Sequence, residues 1–465
     1  MKEYNIRTSP VSFLAILELR MEREVNRHGK VTVTGYIADE EEEKYIKMLT
    51  GEIWEKVEGI SGDGAPETLF WGTVTDFTVM SDNDQKKLTL EITTGSCLAD
   101  RERHLRTYQD RDMAYEQIFR DRVGDYGNGG VVFASPFPDR TGELILQYHE
   151  TDWEFLKRMA SRKHAFLVPE PAVPGMKFFF GMPVGKEFDL QEQGKYTVGK
   201  DLEEYRRKKA EGLQVSESDF LTYTVVCREN HRIGDYVMKY GRKFFLYKIQ
   251  SSYTDGELLH TCHLRMEKGT QIPAVRPEGI GGVSLDAMVR KVKEDKVQVS
   301  VQGDENRDQN INIWYPYATV YSTADGTGWY CMPEPGDMVR LTVPETEEGQ
   351  AFVTSSVHVE TDSADRKDPA HKVLKSKYQK EVRFTPDSIV ITNNKGTRIE
   401  LTDAEGIHIV SAHSVMLEAA GNLTLSSDSG SLMVAGTSSV SLQQKGTAIQ
   451  LDGGISFIGG ELKVQ

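Results

Sequence analysis

Basic residues are outnumbered in this chain: Lys and Arg total 56 against 71 Asp and Glu, for a formal net charge of −15. A surface short of positive charge argues against a nucleic-acid partner or an anionic membrane, since both are gripped through phosphates. Cysteine is scarce too. Cys97, Cys227, Cys262 and Cys331 are widely scattered with no Cys-x-x-Cys. That spacing excludes a zinc ribbon or thioredoxin-type motif and reads as buried thiols of a protein made in a reducing compartment. No apolar run approaches the roughly eighteen residues that a membrane-crossing helix requires. The stretch Phe13–Leu17 is cut by Glu18 and lacks a small-residue cleavage site. It reads as a strand, so no signal peptide is expected, and work outside the cell would need another exit route. No Walker loop, zinc motif or nucleophile elbow is present.

What the chain does have is a ruler-like C-terminal segment. Apolar residues recur in pairs separated by one position: Ile389/Ile391, Ile399/Leu401, Ile407/Ile409, Val415/Leu417, Leu423/Leu425, Leu432/Val434, Val440/Leu442, Ile449/Leu451, Ile455/Phe457 and Leu462/Val464. Gly, Asn, Asp, Ser and Thr fill the intervals. Alternation within each pair predicts half-buried strands, the polar intervals predict tight turns, and the short fixed period predicts a β-solenoid. Wound as one chain, the segment would be a stub of roughly 15 Å; shared by three chains it becomes a prism about 50 Å long at the usual strand spacing. One apolar pair per strand is a thin core for one chain and an adequate one for three. The expected structure is a trimeric β-prism over 388–465; the plainer alternative is a solenoid cap on a monomer.

At 465 residues there is room for about two to four domains. Residues 1–275 read as mixed strand and helix, with strands at Val31–Thr34, Phe70–Val74, Leu88–Ile92, Phe178–Phe180, Leu221–Val226, Phe244–Ile249 and Leu258–Leu264. A helix is predicted over Asp112–Val123, with Ala114, Ile118 and Phe119 on its inner face and Gly124 as its stop. Another begins at Thr151, where Thr151-Asp-Trp-Glu154 fits a capping box and Phe155, Leu156 and Met159 form the buried stripe. The charge runs Glu40–Glu43 and Arg206–Lys209 read as solvated helix faces. A Pro/Gly-rich linker spans 272–282, and residues 276–360 hold short strands at Ala287–Val292, Val297–Val301, Ile311–Tyr315, Met338–Val343 and Phe352–Val357. Five strands in so short a span suggest a small barrel of the OB type. A polar linker, 361–387, leads to the ladder.

Several of these residues together resemble the VgrG and phage tail hub-and-spike family. The hub part is carried by Tyr148-His-Glu-Thr-Asp-Trp-Glu-Phe-Leu-Lys-Arg158 and by Gly72 after Phe70-Trp71. The barrel part is carried by Trp314, Pro316, Ala318, Gly328-Trp329, Pro333 and Pro335-Gly336-Asp337 before Val339-Arg-Leu341, followed by Asp368-Pro369 and Lys372. The resemblance runs through the whole chain in the family's domain order. It implies a mainly β fold with some α: a hub containing a β-barrel, an OB-fold barrel, and a C-terminal triangular trimeric β-helix, or needle. It also implies a homotrimeric central spike of a contractile injection machine, such as a phage tail, a tailocin, an extracellular injection system or a type VI secretion system. The implied partners are the inner tube protein, baseplate proteins, effector cargo, and the target cell envelope on firing. Two departures stand out. The linker is too short for the lysozyme domain some phage spikes carry, and no His-x-His iron site ends the chain, so a separate PAAR-like tip protein is expected. No cofactor or metal is implied.

The residues that could carry chemistry have structural explanations. Glu150, Asp152 and Glu154 beside His149 could serve glycoside hydrolysis, but Asp152 and Glu154 already suit a helix N-terminus. A trimeric tailspike-type polysaccharide hydrolase or carbohydrate-binding protein is the alternative function. Its carboxylates would be Asp403, Glu405, Glu418, Asp428, Asp452 and Glu461, which fall mostly at turns, and only Phe457 offers a sugar platform. His408 and His413 read as solvent-facing rather than metal-binding. Trp314, Tyr315, Tyr317 and Trp329 could stack on single-stranded nucleic acid, but the acidic balance points to packing. The chain is expected to be non-enzymatic.

Overall fold

A computed structural model describes residues 4–61, 64–82, 85–190, 195–354, 358, 361–451 and 453–458. The chain divides into two compact units, Met1–His358 and Val359–Gln465.

The first unit is dominated by an eleven-stranded sheet. In spatial order its strands are Tyr4–Ser9, Trp54–Ser61, Glu67–Asp82, Gln85–Thr94, Lys30–Ile37, Ala15–Glu24, Arg242–Thr254, Glu257–Arg265, Leu221–Cys227 and Tyr196–Lys200, with Tyr236–Lys239 added on Arg242–Thr254. Alternation makes this sheet: Val31, Val33 and Ile37 point one way from their strand, and Leu88, Leu90 and Ile92 meet them from the next. The strands predicted from Val31 to Leu264 lie within observed strands, whereas the one read at Phe13–Leu17 begins only at Ala15 and continues to Glu24. Gly72 is required by close approach, since a Cβ there would lie 2.2 Å from the Thr93 carbonyl oxygen of the neighbouring strand.

A second core forms around two helices. The helix expected at 112–123 spans Tyr115–Gly124, with Ile118 and Phe119 fully buried and Ala114 as its cap. The Thr151 capping box is formed: the Thr151 hydroxyl accepts from the Glu154 amide (3.1 Å) and the Glu154 carboxylate accepts from the Thr151 amide (3.0 Å). It starts the Asp152–Ser161 helix, whose Phe155, Leu156 and Met159 are fully buried. The basic run departs from its predicted role in one residue. Lys208 is buried, because its ammonium donates to the Gly269 carbonyl and pairs with Glu204, both at 2.9 Å.

Residues 283–354 form the small barrel. Its strands run in the spatial order Tyr315–Pro316, Lys296–Val301, Val283–Lys293, Met338–Val343 and Phe352–Thr354, and a parallel bridge from Tyr317 to Val353 closes the ring. Val289, Val297, Val299, Leu341 and Val353 fill it. Of two expected strands here, only Tyr315–Pro316 pairs from the first, and 355–357 of the second lie outside the described residues. The family-like turns have local causes. Gly328 (φ +144°) would place a Cβ 2.3 Å from the Tyr321 carbonyl oxygen, and Gly336 (φ +98°) sits in a turn where Asp337 accepts from the Glu334 amide at 2.8 Å.

In the second unit, a five-stranded antiparallel sheet runs through Lys372–Lys375, Glu381–Phe384, Ser388–Thr392, Arg398–Thr402 and Gly406–Val410. The stretch expected to be a linker thus contributes two of its strands. Asp365 fastens the preceding segment to this sheet through Lys375 (2.8 Å) and Arg383 (2.5 Å). A three-stranded sheet follows, made of Val440–Gln444, Thr447–Leu451 and Ile455–Ile458. Residues 411–439, all described, contain no strand.

Candidate functional site

The ladder's apolar pairs come into register. Ile389 lies opposite Leu401 and Leu401 opposite Ile407; Ile391 lies opposite Ile399 and Ile399 opposite Ile409. Strand side chains alternate between faces, so these six share one face of three adjacent strands. Val440 likewise meets Leu451, and Leu442 meets Ile449. Among the described residues this face is left exposed to differing degrees. Ile399 and Leu401 are each 39% exposed, Ile407 68% and Ile409 56%. Leu442, Ile449 and Leu451 are also largely exposed, and Val440 is half-buried. Val415, Leu417, Leu423, Leu425, Leu432 and Val434 stand exposed on the strandless 411–439 segment. Phe457 has no described side chain, and Leu462, Val464, Asp452 and Glu461 lie outside the described residues. Covering an isoleucine or leucine is worth roughly 1.5–3 kcal/mol, and a contiguous apolar face of this kind marks an interaction surface.

The acidic motif in the first unit is engaged structurally. Glu150 binds Arg158 through both oxygens, at 2.7 Å each. Glu154 belongs to the capping box, and His149 is exposed with a left-handed backbone (φ +52°). Asp152, wholly buried, accepts from Arg106 (2.5 Å), Tyr126 (2.7 Å) and Gln147 (2.9 Å). Burial alone would raise its pKa, but the Gln147 and Tyr126 hydrogen bonds and the Arg106 charge outweigh that and hold it below the usual carboxylate range.

A junction that the sequence did not announce ties the barrel to the rest of the first unit. The Thr107 amide donates to Asp304 (3.0 Å), the Gln109 amide to Gln309 (2.6 Å), and Asn312 to Asp110 (2.7 Å). Glu348 accepts from the Leu146 amide (2.9 Å) and from Arg158 (3.1 Å) and Arg162 of the capped helix. Arg158 belongs to the family-like motif, but nothing near Glu348 marks it as a partner. Of the barrel aromatics, Tyr315 is buried and donates to Gln109 at 3.1 Å, while Trp329 is 57% exposed. His408 lies 3.8 Å from Glu405 and His413 is exposed; among the described residues no cluster suited to a metal ion is found. Nor is any helix of those residues long and apolar enough to cross a membrane.

No protein-family profile and no curated relative matches this chain. Solved structures do. The E. coli c3393 protein, described as a component of the type VI secretion system with structural similarity to the T4 bacteriophage tail proteins gp27 and gp5, superposes with a TM-score of 0.52 at 14% identity. The match covers 75% of this chain and 99% of that one. The lidless PdpA–VgrG complex gives 0.55 at 9% identity, over 88% of this chain and 98% of that one. The half-lidded Francisella PdpA–VgrG complex gives 0.55 at 10% identity, over 88% of each. The chain has the mainly β fold of the VgrG and phage tail hub family, as the sequence resemblance implied.

Proposed function

We propose that this chain is the homotrimeric hub and spike of a contractile injection machine. Residues 1–275 dock on the inner tube, 276–360 form an OB-type barrel that narrows the ring, and 388–465 form the needle. The observation that carries this reading is the in-register apolar face of Ile389, Ile391, Ile399, Leu401, Ile407 and Ile409, which one chain leaves open to water. Three chains wound about one axis would turn such faces towards each other and give the strandless 411–439 segment edges on which to pair.

The work is mechanical: the trimer caps the tube and pierces the target envelope when the sheath contracts. Its partners are the tube and baseplate proteins, a PAAR-like tip protein and effector cargo, and it leaves the cell as part of that particle. The engagement of Glu150, Asp152 and Glu154 in structural pairs supports a non-enzymatic role. Native mass by light scattering or mass spectrometry tests the reading. A trimer that resists mild denaturant is expected; a stable monomer would overturn it.

A further inference from the structure

Cys227 ends the Leu221–Cys227 strand, and Cys262 lies in the adjacent Glu257–Arg265 strand. The register sets Cys227 opposite His260 and Cys262 opposite Val225, so the two thiols are diagonal neighbours. Both are buried, both are free, and their sulfurs are 3.6 Å apart. They belong to an apolar core with Val225, Phe244 and Ile249, which a few polar groups adjoin. His231, just beyond the first strand, stacks on Phe188 at 4.0 Å and holds Nδ1 3.5 Å from Asp235, while its buried Nε2 has no hydrogen-bond partner.

Burial opposes a charge on His231, but Asp235 and Cys227 outweigh it and raise its pKa to about 9. The contact with Cys262, together with His231, holds the Cys227 thiol below its ordinary range, and the same contact and burial push Cys262 above it. The other groups facing the pair are Arg23 from the Ala15–Glu24 strand, Glu229 from the loop, and His260, which burial keeps neutral. A cleft of about 580 Å³ is lined by Arg23, Phe188, His231 and Asp235; neither sulfur lines it. One activated sulfur beside a resolving one, with a nearby acid, is the arrangement of a redox-active thiol pair.

We propose that Cys227 and Cys262 are a reversible redox couple, with Cys227 attacking a hydroperoxide and Cys262 resolving it into a disulfide that staples two strands of the hub sheet. The Cys227 thiolate attacks the peroxide oxygen and the O–O bond breaks. The departing oxygen takes the His231 proton and leaves as alcohol or water, with Cys227 now a sulfenic acid. Cys262 then attacks that sulfur: the S–S bond forms, the S–O bond breaks, and the hydroxyl leaves as water with the Cys262 proton. Each sulfur is oxidised by one electron and the peroxide is reduced by two. The sulfurs must close to about 2.0 Å. The proposal concerns the folded chain and does not depend on the machine it serves.

Hydrogen peroxide added to the native full-length protein, followed by denaturation, alkylation and peptide mass mapping, tests it. The expected result is a Cys227–Cys262 cross-linked peptide that dithiothreitol abolishes. His231→Gln should slow its formation several-fold at pH 7 and move the pH profile up towards that of an ordinary thiol, without lowering the melting temperature by more than a few degrees. Recovery of both cysteines as free thiols, under peroxide sufficient to oxidise exposed Cys331, would overturn the proposal. So would Cys227 accumulating as sulfinic acid with Cys262 still free.

Discussion

Arg158 and Glu348, both almost wholly buried, meet at 3.1 Å across the junction between the helical core and the barrel. Burial works against the Arg158 charge, and Glu348 and Glu150 more than restore it. Removing one partner of such a pair leaves the other charged in a poor solvent, at a cost of about 3–5 kcal/mol. Glu348→Gln should therefore lower the urea midpoint of the first unit. Because Arg158 keeps Glu150, the loss should fall at the lower end of that range. Protease sensitivity of the 271–282 segment in the variant, checked by limited digestion, should rise with it.

Glu55 gives the opposite sign. It is fully buried, with one oxygen accepting from the Val11 amide at 3.2 Å and the other unpartnered. Burial raises its pKa to about 8. The folded form holds a proton that the unfolded chain releases, so its contribution to stability is full below the unfolded pKa and is lost as pH rises towards 8. Glu55→Gln keeps an acceptor for Val11 without that penalty. It should stabilise the protein by about 1–3 kcal/mol at pH 7 and change little at pH 4. Thermal melts of both proteins across that range check it.

The capping box is a local feature with a local cost. Thr151→Ala removes the acceptor for the Glu154 amide and the hydroxyl that donates to Asp100. It should cost about 1 kcal/mol, read as a lowered denaturant midpoint with an unchanged slope.

Leu425, 59% exposed in one chain, stands in the middle of the ladder. Leu425→Asp would bring three carboxylates to one level of a shared prism, where unpaired charge is costly. The variant should lose trimer at concentrations where the parent keeps it, while the hub's melting transition stays put. Sedimentation velocity reads the first and calorimetry the second. An unchanged trimer would rule out the shared core.

What could be read from the sequence was what is local. Period-two runs such as Leu88–Ile92 and the Thr151–Glu154 cap state their structure within a few residues, and both fold as expected. The order of the large sheet could not be read, because the Ala15–Glu24 strand pairs with Arg242–Thr254, more than two hundred residues away. Glu348 escaped notice for the same reason, as its partners Arg158 and Leu146 lie 190 and 202 residues away in the chain. Lys208 looked like one more solvated lysine until the Gly269 carbonyl supplied it with a partner. The Val415-to-Val434 pairs have strand spacing but no strand in one chain. A strand needs an edge to pair with, and periodicity cannot say which molecule provides it.

The in-register face of Ile391, Ile399 and Ile409 also limits how such a chain can change in length. Deleting one residue inside Arg398–Thr402 would turn every later side chain of that strand to the opposite side, putting a residue such as Glu400 where an isoleucine stood. Insertions within strands are therefore tolerable only in twos. Single additions belong in the turns, such as the one where Asn393 accepts from the Lys395 (2.8 Å) and Thr397 (3.1 Å) amides. Descendants of this sequence should drift freely in loop size while their strands keep an even count.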